Sequence, residues 1–211
     1  LEGSGCTKVK FHNGITEIRG AAFRGSSLSG ELVLPPNLKY IGSEAFSDSK
    51  ISSIIFPESL MVIEDGAYDF AGTFSNCKYL TGVLELPKNV ARIPIGCFYG
   101  CSNITGLIIP ENCELIETKA FYECSSIGSI VCQATEPPLL CDDAFYGVSK
   151  DNFTLEVPKG CVNAYKLAPG WSEFKRIAEY SDFVCRPAQA NALNNVHSEL
   201  LVLNASGKWQ V

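Results

Sequence analysis

Histidine is nearly absent: only His12 and His197 occur in 211 residues. A catalytic thiol or hydroxyl needs a neighbouring base to activate it, and histidine is the usual one. His12 falls inside a repeat and His197 close to the far end, so nucleophilic catalysis is not expected. Paired carboxylates, metal-type Cys/His spacing and a phosphate-binding glycine loop are missing too. The reading is of a chain that is not an enzyme and has neither cofactor nor metal site. A basic stripe is also lacking: 17 Lys+Arg stand against 23 Asp+Glu, for a net charge of −6. Nucleic acid is therefore excluded as a partner. The longest apolar runs, such as Ile54-Ile55-Phe56, are strand-sized, which excludes membrane insertion. No basic segment followed by an apolar stretch opens the chain, so it reads as mature or trimmed, with any export signal missing.

What is present is apolar and periodic. Hydrophobic residues make up 46% of the chain, enough for a large core. An apolar-x-apolar triplet followed by proline recurs, as Leu32-Val33-Leu34-Pro35, Leu84-Glu85-Leu86-Pro87 and Leu107-Ile108-Ile109-Pro110. The proline slots fall at His12, Pro35, Pro57, Pro87, Pro110, Gln133 and Pro158, at intervals of 23, 22, 30, 23, 23 and 25 residues. Isoleucine follows six residues after each of the first five slots: Ile18, Ile41, Ile63, Ile93 and Ile116. A small residue and an aromatic come next, in Ala22-Phe23, Ala45-Phe46, Ala67-Tyr68, Cys97-Phe98 and Ala120-Phe121, with Ala144-Phe145 one residue late.

Such a period marks a solenoid, in which each coil buries its apolar side only by stacking on its neighbours. Period two sends the outer pair of each triplet inward and the middle residue outward. Proline then ends the strand, because it donates no ladder hydrogen bond. The aromatics are expected to stack coil upon coil. The 30-residue interval holds an insertion, placed at Asp69 to Thr73, after Tyr68 and before a second candidate aromatic, Phe74.

Ten cysteines on their own suggest an oxidising compartment. Six of them, however, replace small or apolar residues at inward positions: Cys97, Cys113, Cys132, Cys77, Cys101 and Cys124. They read as buried small hydrophobes. Cys132 and Cys141 are the pair best placed for a disulfide if one exists.

The stack needs caps. Val9-Lys10-Phe11 reads as the first strand, and Thr154 to Pro158 as the last. Cys161 to Ala168 then reads as a short helix stopped by Pro169-Gly170. Trp171, Phe174 and Ile177 follow at spacings of three and form a lid. Residues 181–211 leave the pattern. They read as a linker, Pro187 to Asn195, and a β-hairpin of Ser198 to Leu203 with Lys208 to Val211. The chain thus divides into a solenoid over 1–180 and a separate stretch over 181–211.

The run from Ile104 through Pro110, Cys113, Ile116, Ala120-Phe121 and Cys124 to Ile127 resembles the BspA-like leucine-rich repeat family. The ending also resembles that family's terminal unit, through Pro137-Pro138, Ala144-Phe145, Val157-Pro158, Tyr165, Gly170-Trp171 and Phe174. Departures are His12 and Gln133 in proline slots, the insertion and the unmatched tail. The resemblance spans roughly residues 9–180. It implies an α/β leucine-rich-repeat solenoid: a strand-dominated, right-handed superhelix of about seven short-strand coils with little helix and a C-terminal helical cap. It also implies a secreted or cell-surface protein, outer-membrane anchored, that adheres to host or bacterial surface proteins and carries no catalytic residues.

Three functional readings follow. The first is an adhesion module whose outward strand positions, Lys10, Val33, Ile55, Glu85, Ile108, Val131 and Glu156, form one ladder with four solvated aliphatics. Lys39-Tyr40, Met61-Val62, Ala91-Arg92 and Glu114-Leu115 form a second. The next is a glycan-binding module, for which Tyr40, Tyr79, Tyr99, Tyr122 and Tyr146 are available; Tyr99, Tyr122 and Tyr146 form a column that coil-edge packing explains better. The last is a structural spacer. The candidate surface comprises Val33, Ile55, Glu85, Ile108, Val131, Tyr40, Arg92, Tyr99, Tyr122 and Tyr146.

Overall fold

The computed structural model describes residues 2–66 and 68–180, together with the backbone of residues 202–203 and 209–210. The chain divides into two compact units, Leu1–Tyr180 and Ser181–Val211. In the second, Val202–Leu203 pairs antiparallel with Trp209–Gln210. The rest of the expected linker and hairpin lies outside the described residues.

The first unit is a strand-dominated parallel solenoid of about seven coils. Along the chain come β1 (Glu17–Ile18), β2 (Ser29–Val33), β3 (Tyr40–Ile41), β4 (Lys50–Ile55), β5 (Val62–Ile63), β6 (Gly82–Glu85) and β7 (Arg92–Ile93). They are followed by β8 (Ile104–Ile109), β9 (Leu115–Ile116), β10 (Ile130–Cys132), β11 (Leu139–Leu140), β12 (Leu155–Val157), α1 (Val162–Leu167) and β13 (Ile177–Glu179). From β2 to β12 the even-numbered strands are the apolar-x-apolar triplets and form the front face. The odd-numbered ones up to β9 carry the recurrent isoleucines and, with β11, where Leu139–Leu140 takes their place, form a second face. Every pairing within the first unit is parallel, as expected when each coil lies directly on the last. Val9-Lys10-Phe11 is not a strand, contrary to expectation. It opens the stack in irregular backbone, with Phe11 edge-on to Phe23 at 5.9 Å.

Six phenylalanines run through the middle of the stack. Phe23, Phe46, Phe74, Phe98, Phe121 and Phe145 lie nearly parallel, with successive centroids 5.2 to 5.4 Å apart. At the far end Trp171 and Phe174 meet Phe145 at 58° and 82°. Both ends of the column are thus closed by rings turned across it, a favourable edge-to-face arrangement. Tyr165 completes the cap, its hydroxyl donating to the Ala134 carbonyl at 2.7 Å. Ile177 is half-buried against the core at this end and opens β13, which extends the front sheet by pairing with β12.

The third member of the column is Phe74, not Tyr68. Phe74 is wholly buried and Tyr68 is exposed. The insertion therefore lies earlier than the sequence suggested: five residues separate Ile41 from Phe46, but eleven separate Ile63 from Phe74. A phenol in the column would bring an oxygen that needs a partner where only rings are available, so Phe74 takes the slot and Tyr68 is carried out on the loop.

This loop coincides with a break in the solenoid. The front face splits into β2–β4 and β6–β8–β10–β12–β13, and the second face into β1–β3–β5 and β7–β9–β11. Both splits fall between the third and fourth coils. Ile54 and Phe56, inward positions of the coil before the seam, are half-exposed where Leu32, Leu84, Leu107 and Ile109 are buried. A third ladder on the turn side, made by backbone flanking the phenylalanines, continues across. Phe46 donates to Thr73 at 2.9 Å, Phe74 to Cys97 at 2.9 Å and Phe98 to Ala120 at 2.8 Å.

All nine described cysteines are free, and Cys77, Cys97, Cys101, Cys113, Cys124 and Cys132 are buried. Cys132 and Cys141 are not bonded. The Cys132 sulfur instead meets the Tyr165 hydroxyl at 3.1 Å. Cys77, Cys101 and Cys124 each direct the thiol at the carbonyl of the phenylalanine one coil back, at 3.3, 3.1 and 3.2 Å. Burial pushes Cys124 up to about 12 and Cys132 up to about 11, which leaves them poor nucleophiles.

Candidate interaction surfaces

On the front face, Val33 registers with Ile55, and Glu85, Ile108, Val131 and Glu156 register in turn with one another. The expected single ladder is therefore two, separated by the seam. Nor are its four aliphatics equally solvated. Val33 is 54% exposed, Ile55 and Val131 are half-buried, and Ile108 is only 8% exposed. Ile108 faces outward but stands between Glu85 and Val131, whose side chains shield it. Lys10 lies in the irregular opening segment rather than in a strand.

On the second face, Tyr40 and Arg92 hold the coils together. The Tyr40 hydroxyl bonds to Glu64 one coil on, and that carboxylate pushes the phenol up to about 12. The same bond, with the Ser43 amide, draws Glu64 below its ordinary range. Arg92 grips Asp65 through two nitrogens, at 2.9 to 3.1 Å, and Glu117 at 2.8 Å. Burial pushes Asp65 up, but the Arg92 guanidinium and the Ile95 amide more than offset it, and the net shift is downward. Both side chains are thus committed within the solenoid. Next to them, Met61 and Val62 are 57% and 45% exposed.

The insertion is pinned at its start and middle: Asp65 is held by Arg92, and Asp69 by Lys119. Between and beyond these anchors it presents Tyr68 and Phe70, stacked at 5.5 Å and 65% and 54% exposed. Lys119 also lies 5.8 Å over the ring of Tyr122. Tyr122 is stacked in turn on Tyr99 at 5.0 Å and on Tyr146 at 4.6 Å. The structure therefore brings the three tyrosines into one column along the turn side. Tyr122 has both faces engaged, and Tyr99 and Tyr146 one each, so the column offers mainly ring edges and hydroxyls.

A separate open cleft of about 320 Å³ lies between the second and third coils, lined by Asp48, Ser49, Lys50, Asn76, Lys78 and Tyr79. The sequence offers Tyr79 as an aromatic for a glycan and Ser49 as a member of the small-residue column, but the proline slots do not bring Asp48, Lys50, Asn76 and Lys78 together with them. Counting from the core phenylalanine does, because Lys50 and Lys78 both stand four residues after theirs.

Among the described residues, no group of His, Cys, Asp and Glu is arranged to hold a metal, and no helix is long and apolar enough to cross a membrane. The BspA type leucine rich repeat region matches residues 1–72 and 70–161, in six copies. The chain belongs to this family. Its architecture is similar to the crystal structure of a leucine-rich repeat protein from Bacteroides ovatus ATCC 8483, with 28% identity and a TM-score of 0.58 over 73% of this chain. The match covers 40% of the Bacteroides protein, so this chain spans well under half of that relative. No curated protein matches. Membership makes the chain a BspA-type repeat scaffold of the protein-interaction kind, in a family of typically non-enzymatic solenoids.

Proposed function

We propose that this chain is an adhesive binding module of a secreted or surface-anchored bacterial protein, and that it engages a protein partner through its outward faces near the seam. One observation carries the reading: the exposed apolar side chains are concentrated. Of ten large hydrophobics exposed among the described residues, seven belong to the second, third and fourth coils: Val33, Met61, Val62, Tyr68, Phe70, Tyr79 and Val83. Scattered exposed apolar residues are normal, whereas a concentration marks an interaction surface. A rigid, solvent-facing aromatic pair also supplies the sort of anchor on which binding energy concentrates. Asp65 and Asp69 fix the loop that carries Tyr68 and Phe70, so little ordering entropy is lost on association.

The test is a surface-plasmon-resonance panel of host matrix proteins and bacterial surface proteins, run with the native chain and with a Val33→Ser, Met61→Ser, Tyr68→Ser, Phe70→Ser variant. All four side chains are exposed, so the fold should survive. Loss of at least about tenfold in affinity for a bound protein supports the assignment; an unchanged affinity removes it. Ile108 is left intact, because a hydroxyl at that covered position would disturb the sheet.

A further inference from the structure

We propose that the cleft between the second and third coils binds a carboxylate-bearing sugar residue of a glycan, at a site that shares only Tyr79 with the exposed apolar cluster. The first ground is a local departure from the repeat. Four residues after the core phenylalanine the coils carry Ser27, Lys50, Lys78, Ser102, Ser125 and Ser149. Serine is the ordinary occupant, and lysine replaces it only in the two adjacent coils that flank the cleft. Two residues after the phenylalanine these same coils carry Asp48 and Asn76, where three of the others have Gly25, Gly100 and Gly147. Chemistry-bearing side chains thus replace small ones at both slots, in neighbouring coils and nowhere else together.

The second ground is shape. Five residues lead from Phe46 to the buried Ile51, but six lead from Phe74 to the buried Leu80. The residue that the second coil lacks has Tyr79 as its counterpart in the third. Tyr79 therefore stands beside a step in the surface, 61% exposed, with no other described ring stacked against it. Stacking of a pyranose needs a free aromatic face. Tyr122 has both faces covered by Tyr99 and Tyr146, and each of those two end rings has one face covered. Tyr79 has no described ring on either face and stands at the charged cleft, which moves the glycan reading onto Tyr79.

The polar groups suit an acidic sugar. Lys50 and Lys78 make no ion pair with any described residue, leaving two ammonium groups at one cleft on a chain of net charge −6. Asp48 accepts a hydrogen bond from the Ser47 hydroxyl at 2.9 Å and, with the Asn76 amide, can receive or supply hydrogen bonds to ring hydroxyls. The backbone beneath is fixed by the turn ladder: Asp48 donates to Ser75 at 2.9 Å, Asn76 to Tyr99 at 2.7 Å and Lys50 to Leu28 at 2.8 Å. Asn103 ties down the Lys78 carbonyl at 2.6 Å. An apolar face, a few polar groups and a pre-formed hollow of this size are the usual ingredients of a small-ligand site.

Calorimetric titration of the full chain with a galacturonic acid tetramer and with a neutral galactose tetramer tests the assignment. Lys50→Ser with Lys78→Ser restores the residues the other coils already carry, so this variant keeps its fold; Tyr79→Ser alters only an exposed ring. The acidic tetramer should bind at least about tenfold more tightly than the neutral one, and each variant should lose a comparable factor. A control variant, Lys88→Ser with Lys159→Ser, should bind as the native chain does. The proposal is overturned if native protein binds neither tetramer, or binds both equally. It also fails if the control loses as much as the cleft variant, or if sodium sulfate competes as well as the uronate does, since the cleft would then be a plain anion site. The two proposals share only Tyr79, and they stay distinguishable because the Val33, Met61, Tyr68 and Phe70 variant leaves the cleft lining intact, while Lys50→Ser with Lys78→Ser leaves the exposed apolar cluster intact.

Discussion

Where two backbones touch, one side-chain carbon decides whether a loop can sit. A Cβ on Gly72 would lie 2.2 Å from the Gly96 carbonyl oxygen and 2.5 Å from the Cys97 nitrogen. Gly96 in turn adopts φ 61° and packs against the Asp69 carbonyl. The insertion thus returns to the core through a contact that glycine alone permits. Gly72→Ala is expected to destabilise the chain by about 1–3 kcal/mol, read from urea unfolding, because backbone rather than a flexible side chain must shift. A cost below the error of the measurement would show that the loop can rebuild its exit. The same stretch shows where the sequence was misread. An aromatic eleven residues after proline identifies the core ring only in coils of ordinary length. The sounder marker was the small residue three places after the ring: Cys77 follows Phe74 as Cys101 follows Phe98 and Cys124 follows Phe121. The cleft was missed for a related reason, since counting from proline separates Lys50 from its counterpart Lys78, and counting from phenylalanine aligns them.

Among the elements, the strands of the middle coils are not equivalent. β8 is paired on both sides, by β6 and β10, whereas β4 has a ladder partner only in β2 and β6 only in β8. Thr81 donating to Ser52 at 3.1 Å is a lone backbone link between the front strands of the third and fourth coils. The Phe74–Phe98 contact, the turn ladder and the Arg92 clamp carry the rest of the junction. Amides with few buried apolar neighbours and unpaired edges open at lower free energy. Hydrogen exchange should therefore find the seam-facing amides of β4 and β6 exchanging before those of β8 and β10. Uniform protection across the four strands would contradict the break. No spacing rule could have revealed this seam: the triplets Ile54-Ile55-Phe56 and Leu84-Glu85-Leu86 are as well formed as the others. What separates the strands is the length of chain between them, which lets the coils join through their turn side while their faces part.

Across the molecule, the junctions around the third coil are held by carboxylates in a way that pH can address. Glu64 links that coil to the second through Tyr40 and Ser43, and Asp65 links it to the fourth through Arg92 and Ile95. Both carboxyls are held below their ordinary values of 4.5 and 3.8. A group depressed on folding contributes stability that is complete above its unfolded value and is lost as pH falls through its folded one. Neutral pH therefore has the full contribution, and acid below about pH 4 removes it. Thermal melts of the native chain and of a Glu64→Gln, Asp65→Asn variant, taken from neutral pH down to about pH 3, separate this effect from the other carboxylates. The variant should melt lower at neutral pH, and the gap should narrow as the pH drops, because acid takes from the native chain what the substitutions have already removed. A gap that stays constant across the range would mean that these two carboxylates hold the coils by shape rather than by charge.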